Sequence, residues 1–186
     1  IWNDVNHFIS DWYSPNDKMV LQTSGSTGKP KSIKVKKEWM KNSAQLTGKT
    51  FELMEGDSTL LCMPMKYVAG KMTVVRALEL ELDLKVIEPC SAPLKNINKP
   101  INFAAMVPLQ LENTLNDLDK IKTLIVGGGQ VNSKLVEKLQ NVSTQVYETY
   151  GMTETLTHVA IKPLNGPSKS DVFRALDDIH FELDAR

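Results

Sequence analysis

The chain has 186 residues with 22 basic and 22 acidic side chains, so its formal net charge is zero. Hydrophobic residues make up 41% and charged residues 24%, the balance of an ordinary globular domain. That balance lacks the basic footprint of a nucleic-acid binder, and no run of 18 apolar residues is present to span a bilayer. No nucleic-acid partner, no stable membrane association and a cytoplasmic location are the resulting expectations; whether the chain forms a homo-oligomer is left open. Cys62 and Cys90 lack a CxxC pattern and follow apolar stretches, so both are expected as reduced thiols in or near a core. There is no initiator methionine, and residues 177–186 alternate like a strand up to Arg186. Both ends are therefore expected to continue into further chain.

In chain order, residues 19–22 form a short apolar run behind Pro15-Asn16-Asp17 and read as a buried strand feeding a loop. Residues 24–31 are rich in Gly, Ser and Thr. Ile33 and Val35 alternate with lysines, which suggests a half-exposed strand. Residues 38–53 read as an amphipathic helix with Trp39, Ala44, Leu46 and Phe51 on its buried side. A buried strand at 59–63 precedes a helix at 68–82, whose small opening residues Ala69 and Gly70 allow another group to approach closely. A strand at 84–87 leads into a turn-rich connection at 89–100.

A strand at 103–107 is followed by a helix that Pro108 suits at its first turn. The strand at 123–126 runs into Gly127-Gly128-Gly129, and Asn132 or Ser133 can cap a helix through Leu139. A strand at 145–149 ends at Tyr150-Gly151, and further strands are expected at 159–161 and 179–183. This alternation predicts an α/β fold, with layered, largely parallel sheets flanked by helices. Ligands in such folds sit at the carboxyl ends of strands, where the loops after residues 22, 126 and 149 all fall.

Thr23-Ser24-Gly25-Ser26-Thr27-Gly28-Lys29-Pro30-Lys31 combines glycines, hydroxyls and lysines. Glycines allow several backbone N–H groups to converge on phosphate oxygens, and hydroxyls can donate to those oxygens or touch a bound Mg²⁺. It is not a Walker loop, because Pro30 follows Gly28-Lys29 where Ser or Thr and a helix are needed. The five lysines between 29 and 37 suit either a phosphate ligand or plain solvation. Downstream, Tyr150-Gly151-Met152-Thr153-Glu154 offers a flat ring, a close backbone approach, a hydroxyl and a carboxylate.

Together these strings resemble the signatures of the adenylate-forming superfamily, which includes acyl-CoA synthetases, nonribosomal adenylation domains and firefly luciferase. The first string matches the phosphate-binding signature through Lys31 and departs where Ser32 replaces a glycine. The resemblance implies part of that family's N-terminal ATP-binding domain, with its C-terminal lid domain and catalytic lid lysine absent from residues 1–186. It implies that Thr23, Ser24, Gly25, Ser26, Thr27, Gly28 and Lys31 hold the ATP phosphates, with Lys31 also catalytic. By the same resemblance Gly127, Gly128, Gly129 and Gln130 line the adenine pocket, together with Tyr150, Gly151 and Met152. Thr153 meets the α-phosphate and Glu154, with Thr27, binds Mg²⁺, which makes Thr153 and Glu154 catalytic by the same resemblance.

Met63-Pro64-Met65-Lys66-Tyr67-Val68-Ala69-Gly70-Lys71 resembles the stretch that borders the acyl pocket, with Tyr67 as its gate. That stretch and Tyr150-Gly151-Met152-Thr153-Glu154-Thr155 with His158 resemble the 2-succinylbenzoate–CoA ligases of menaquinone synthesis. A dicarboxylate substrate implies a cation or donor cluster, for which Lys66, Lys71, Arg76 and His158 are candidates; Tyr67 and Gly70 complete the implied acid-binding residues at the pocket border. Arg76 lies in an otherwise apolar helix, where a charge needs a partner. An anionic substrate and an internal acid such as Glu79 or Glu81 are both open to it. The implied reaction joins a carboxylic acid, 2-succinylbenzoate or else an aryl or fatty acyl acid, to coenzyme A through an acyl-AMP, with ATP and Mg²⁺; a non-catalytic nucleotide-binding module of the same fold is the alternative. Without the lid, the chain is expected to bind nucleotide but to turn over poorly.

Overall fold

The computed structural model describes residues 1–22 and 32–182. An opening helix α1 (Trp2–Tyr13) precedes an antiparallel pair, β1 (Lys18–Gln22) and β2 (Ser32–Lys36). Helix α2 (Lys37–Thr50), β3 (Ser58–Leu61), α3 (Val68–Glu79) and β4 (Asp83–Val86) follow. Then come β5 (Ile101–Met106), the short α4 (Pro108–Asn113), β6 (Ile121–Val126) and α5 (Ser133–Lys138). The described chain closes with β7 (Gln145–Gly151), β8 (His158–Pro163) and β9 (Arg174–Ala175). Among the described residues, the main sheet has seven strands in the order β4-β3-β5-β6-β7-β8-β9. β4, β3, β5, β6 and β7 are parallel, while β8 and β9 join antiparallel.

The central strands are apolar without alternation because helices and loops cover both faces. All of β5 except Asn102 is buried, and all of β6 except Lys122. β3 is shared between two cores, since neighbouring strand residues point to opposite faces. Leu60 belongs to a core around β5, β6 and β7, and Leu61 to one beneath α1, α2 and α3. Helix α3 buries residues on nearly every side, as a helix in the interior must. Helix α1 instead presents a single line, Val5, Phe8 and Trp12.

Several expectations change. Trp39 is exposed, because the buried line of α2 runs through Met40, Ala44, Thr47 and Gly48. Gly48 is small for a reason: a Cβ there would lie 2.9 Å from Leu80. Helix α3 ends at Glu79, not residue 82, and Glu81 turns the chain in the left-handed region at φ 54°. Residues 179–182 form no strand. Asp178 adopts φ 62° and the Ile179 N–H donates to Leu176 O, a turn that leaves Arg174–Ala175 as the sheet's last strand. Cys62 is buried, with its thiol pushed up to about 12 by desolvation, whereas Cys90 is exposed.

Candidate functional site

A cleft of about 1480 Å³ opens at the carboxyl ends of β5, β6 and β7. One wall is backbone. Gly127 follows β6 so closely on Thr149 that a Cβ would sit 2.7 Å from its Oγ1, and Gly128 has φ +79°, where a side chain strains the backbone. Thr149 Oγ1 donates to Val126 O at 3.1 Å and so fastens this wall to β7.

Tyr150, half exposed at the end of β7, stands on the same cleft, as do Met152, Thr153 and Glu154. The β7–β8 ladder shifts register at Tyr150/Gly151. A Cβ on Gly151 would lie 2.2 Å from Thr157 O, so only glycine lets the chain fold back here. The turn that follows is wound by its own hydroxyls. Thr155 Oγ1 accepts from Met152 N–H at 3.0 Å and lies 2.8 Å from Thr157 O. Leu156 takes φ 71°, its N–H donating to Thr153 O at 3.0 Å and its side chain buried. The result leaves Glu154 exposed at the cleft, with no ion-pair partner among the described residues.

The other end of the cleft is apolar with a buried cation at its base. Met72, Val68 and Tyr67 line it, and Arg76 is only 3% exposed. Its Nε donates to Thr47 Oγ1 at 3.2 Å, and no carboxylate among the described residues pairs with it. Glu79 is engaged elsewhere, with Lys41 at 3.6 Å and Trp12 Nε1 at 3.3 Å. Burial lowers the Arg76 pKa to about 10, so it keeps its charge at neutral pH. His158 is buried too, and its Nε2 has no hydrogen-bond partner among the described residues. Desolvation first, and the Arg76 charge second, push its pKa down to about 3, so the ring is neutral. The cleft thus holds two buried polar groups at this end, an interior cation and an imidazole nitrogen without a hydrogen-bond partner among the described residues.

Gly127, Gly128, Gly129, Gln130, Tyr150, Gly151, Met152, Thr153, Glu154, Tyr67, Arg76 and His158 thus share one cleft. Lys66 and Lys71 do not. They border a separate, smaller cleft with Asp11 and His7, and Lys71 Nζ donates to Val20 O at 2.8 Å. Burial of that ammonium lowers its pKa, with Asp11 pulling the other way. Gly70 is a packing residue: a Cβ would lie 2.4 Å from Pro64 O. Thr23, Ser24, Gly25, Ser26, Thr27, Gly28 and Lys31 lie outside the described residues. Of the lysines beyond them, Lys37 is buried and donates to Ser14 O at 2.9 Å, while Lys36 stands over the Trp39 ring.

Sequence reasoning passed over four residues on the cleft: Gln110, Glu148, Lys162 and Phe173. Gln110 Nε2 donates to Cys62 O at 3.0 Å and Cys90 O at 2.9 Å, which ties β3 and the loop after β4 to the start of α4. Glu148 is a buried carboxylate directly across from Lys162 on β8, with Oε2 and Nζ 2.7 Å apart. A signal for it existed, since residue 148 shares its strand face with Tyr150.

A family model described as "AMP-binding enzyme" matches residues 4–175. The 2-succinylbenzoate–CoA ligase of Lactococcus lactis subsp. lactis is 28% identical over 178 residues, which is 91% of this chain and 40% of that protein. An acyl-CoA synthetase (AMP-forming)/AMP-acid ligase II-like protein from Dyadobacter fermentans matches 98% of this chain and 54% of its own, with TM-score 0.92 and 38% identity. The o-succinylbenzoate coenzyme A synthetase of Bacillus subtilis, solved with ATP and magnesium ion, matches 90% of this chain and 38% of its own. There the TM-score is 0.75 and the identity 22%, a likeness of fold.

Proposed function

This chain belongs to the AMP-binding enzyme family, and from that premise we propose that it serves the ATP-dependent joining of a carboxylic acid, 2-succinylbenzoate, to coenzyme A. The carrying observation is Arg76: a buried guanidinium on the cleft, unpaired by any described carboxylate. A buried charge costs several kcal/mol unless a counter-charge joins it, so a substrate anion there would gain from a cost the fold already bears.

In this reading the glycine wall and the Tyr150 face receive adenine, and Thr153 donates to the α-phosphate. Thr23, Ser24, Gly25, Ser26, Thr27, Gly28 and Lys31 take the remaining phosphates on the strength of their sequence. A carboxylate oxygen of the acid attacks the α-phosphorus and pyrophosphate leaves, giving an acyl-adenylate. The coenzyme A thiolate then attacks the acyl carbon and AMP leaves. Both steps depend on orientation and on spreading negative charge, so positioned donors suffice and no covalent enzyme intermediate is needed. Among the described residues no three His, Cys, Asp or Glu side chains cluster as a metal cage. A lone exposed carboxylate suits Mg²⁺ arriving with ATP, an ion that takes most ligands from phosphate and water. Glu154, with Thr27, would hold it, and there it would offset phosphate charge. A cytoplasmic site of action follows from the need for ATP and coenzyme A.

The test compares two acyl-sulfamoyladenosine mimics of the adenylate, one carrying 2-succinylbenzoate and one carrying benzoate. Calorimetric titration should show the first binding at least tenfold more tightly, and Arg76→Met should erase the difference. Equal binding of both would overturn the dicarboxylate and leave the family reaction. Failure of both to bind would overturn the nucleotide site.

A further inference from the structure

Tyr150 is not held by its own strand alone. Across the ladder its neighbour is Ala160, which in turn pairs with Ala175 on β9. Two methyl side chains leave room beside the tyrosine ring, and Phe173, one residue before β9, fills it. The ring centroids are 6.0 Å apart at an interplanar angle of 59°. That tilt places Phe173 against Tyr150 as a support rather than as a second slab of a base sandwich. Phe173 is itself in contact with a cation, Lys162 Nζ, 4.9 Å from its ring centroid. Lys162 has its own anchor, the buried Glu148 at 2.7 Å. The other Glu148 oxygen accepts the Val131 N–H at 2.8 Å, just past the glycine wall.

These contacts make one continuous line: Val131, Glu148, Lys162, Phe173, Tyr150. It begins next to the backbone wall of the cleft and ends at the Tyr150 ring that lines the same cleft. We infer that Lys162 and Phe173 are positioning residues for nucleotide recognition, fixing the ring of Tyr150 at the angle and spacing that a purine needs against the glycine wall. This rests on the nucleotide reading of the cleft. Glu148 and Lys162 are buried or nearly so, which makes the brace stiff; their side chains are 5% and 18% exposed. Tyr150 is partly exposed, so its ring keeps an open side for a base while Phe173 supports it.

The experiment titrates AMP and CMP into the chain by calorimetry for the native protein and for F173L, K162M, K162R and Y150A. Phe173→Leu keeps bulk and leaves the Glu148–Lys162 pair in place, so its result does not depend on how K162M folds. Thermal unfolding within a few degrees of the native chain accompanies each measurement. The expected result is AMP affinity three- to tenfold weaker in F173L and K162M, recovery in K162R, and a smaller AMP-over-CMP preference in both weakened variants. Native AMP affinity and preference in F173L, with Y150A impaired, would overturn the positioning role while leaving the nucleotide site standing. No AMP binding by the native chain would remove the nucleotide site itself, and the positioning role with it.

Discussion

His158 shows how burial and one neighbour set a side chain's behaviour. The ring loses its water, and the Arg76 charge makes a second positive charge beside it costly, so the folded pKa falls to about 3. An unfolded histidine titrates near 6.5. The folded value is the lower one, so below pH 6.5 the unfolded chain binds the extra proton. Stability is then full above that pH and drains as pH falls toward 3, by at most about 5 kcal/mol. Urea unfolding midpoints measured from pH 7.5 to 4 should decline, and His158→Gln should flatten the decline. An unchanged slope in that variant would assign the acid sensitivity to other groups. Gly70 gives a second residue-scale case. Its Cβ space is taken by Pro64 O at 2.4 Å, a backbone atom that cannot rotate away. Gly70→Ala should therefore cost about 1–3 kcal/mol of stability. Thermal unfolding of that variant at the native midpoint would show that α3 shifts freely.

At the scale of elements, the antiparallel end of the sheet is pinned by one amide. Asn165 Oδ1 accepts the Val146 N–H at 3.0 Å, while Nδ2 donates to Leu139 O at 3.1 Å and Thr144 O at 2.8 Å. The turn after α5, the start of β7 and the segment beyond β8 meet on this side chain, which is 7% exposed. Asn165→Leu keeps the size and strands two backbone groups, the Val146 N–H and the Thr144 O, while Leu139 O keeps the Val142 N–H, so a loss of about 2–4 kcal/mol is expected from denaturant unfolding. A native midpoint would mean that water replaces the amide. The elements that were legible beforehand are those with long, simple patterns. β5 and β6 read as strands because both faces are covered, and Pro108 marked the start of α4. β9 was not legible, since two residues carry no period and their pairing with β8 is a tertiary choice. Helix α1 did carry a pattern in Val5, Phe8 and Trp12, which polar neighbours masked. The α2 stripe was misjudged because Gly48 and Thr47, not Trp39, meet the neighbouring helix.

Across the whole molecule, what could be read in advance was whatever lies in one contiguous string at a strand end. Gly127 to Gln130 and Tyr150 to Glu154 are such strings, and adjacent parallel strands β6 and β7 bring them to one cleft. The approach of Arg76 to His158 and the line from Glu148 to Phe173 join segments far apart in sequence, through a ladder whose register shifts at Tyr150/Gly151. No string announces them. The same topology hydrogen-bonds the two walls of the cleft to one another, because Thr149 Oγ1 bonds β6 at Val126 and Glu148 holds Val131. A ligand that fills the cleft must then protect both walls at once. AMP at a hundredfold excess over its Kd should add about 2.7 kcal/mol, raising Tm by roughly 5–10 °C for a chain of this size. Native-state hydrogen exchange should slow together in Gly127 to Gly129 and in Gly151 to Thr153. Slowing confined to one of these segments would mean that the walls bind separately and that the cleft is not one site.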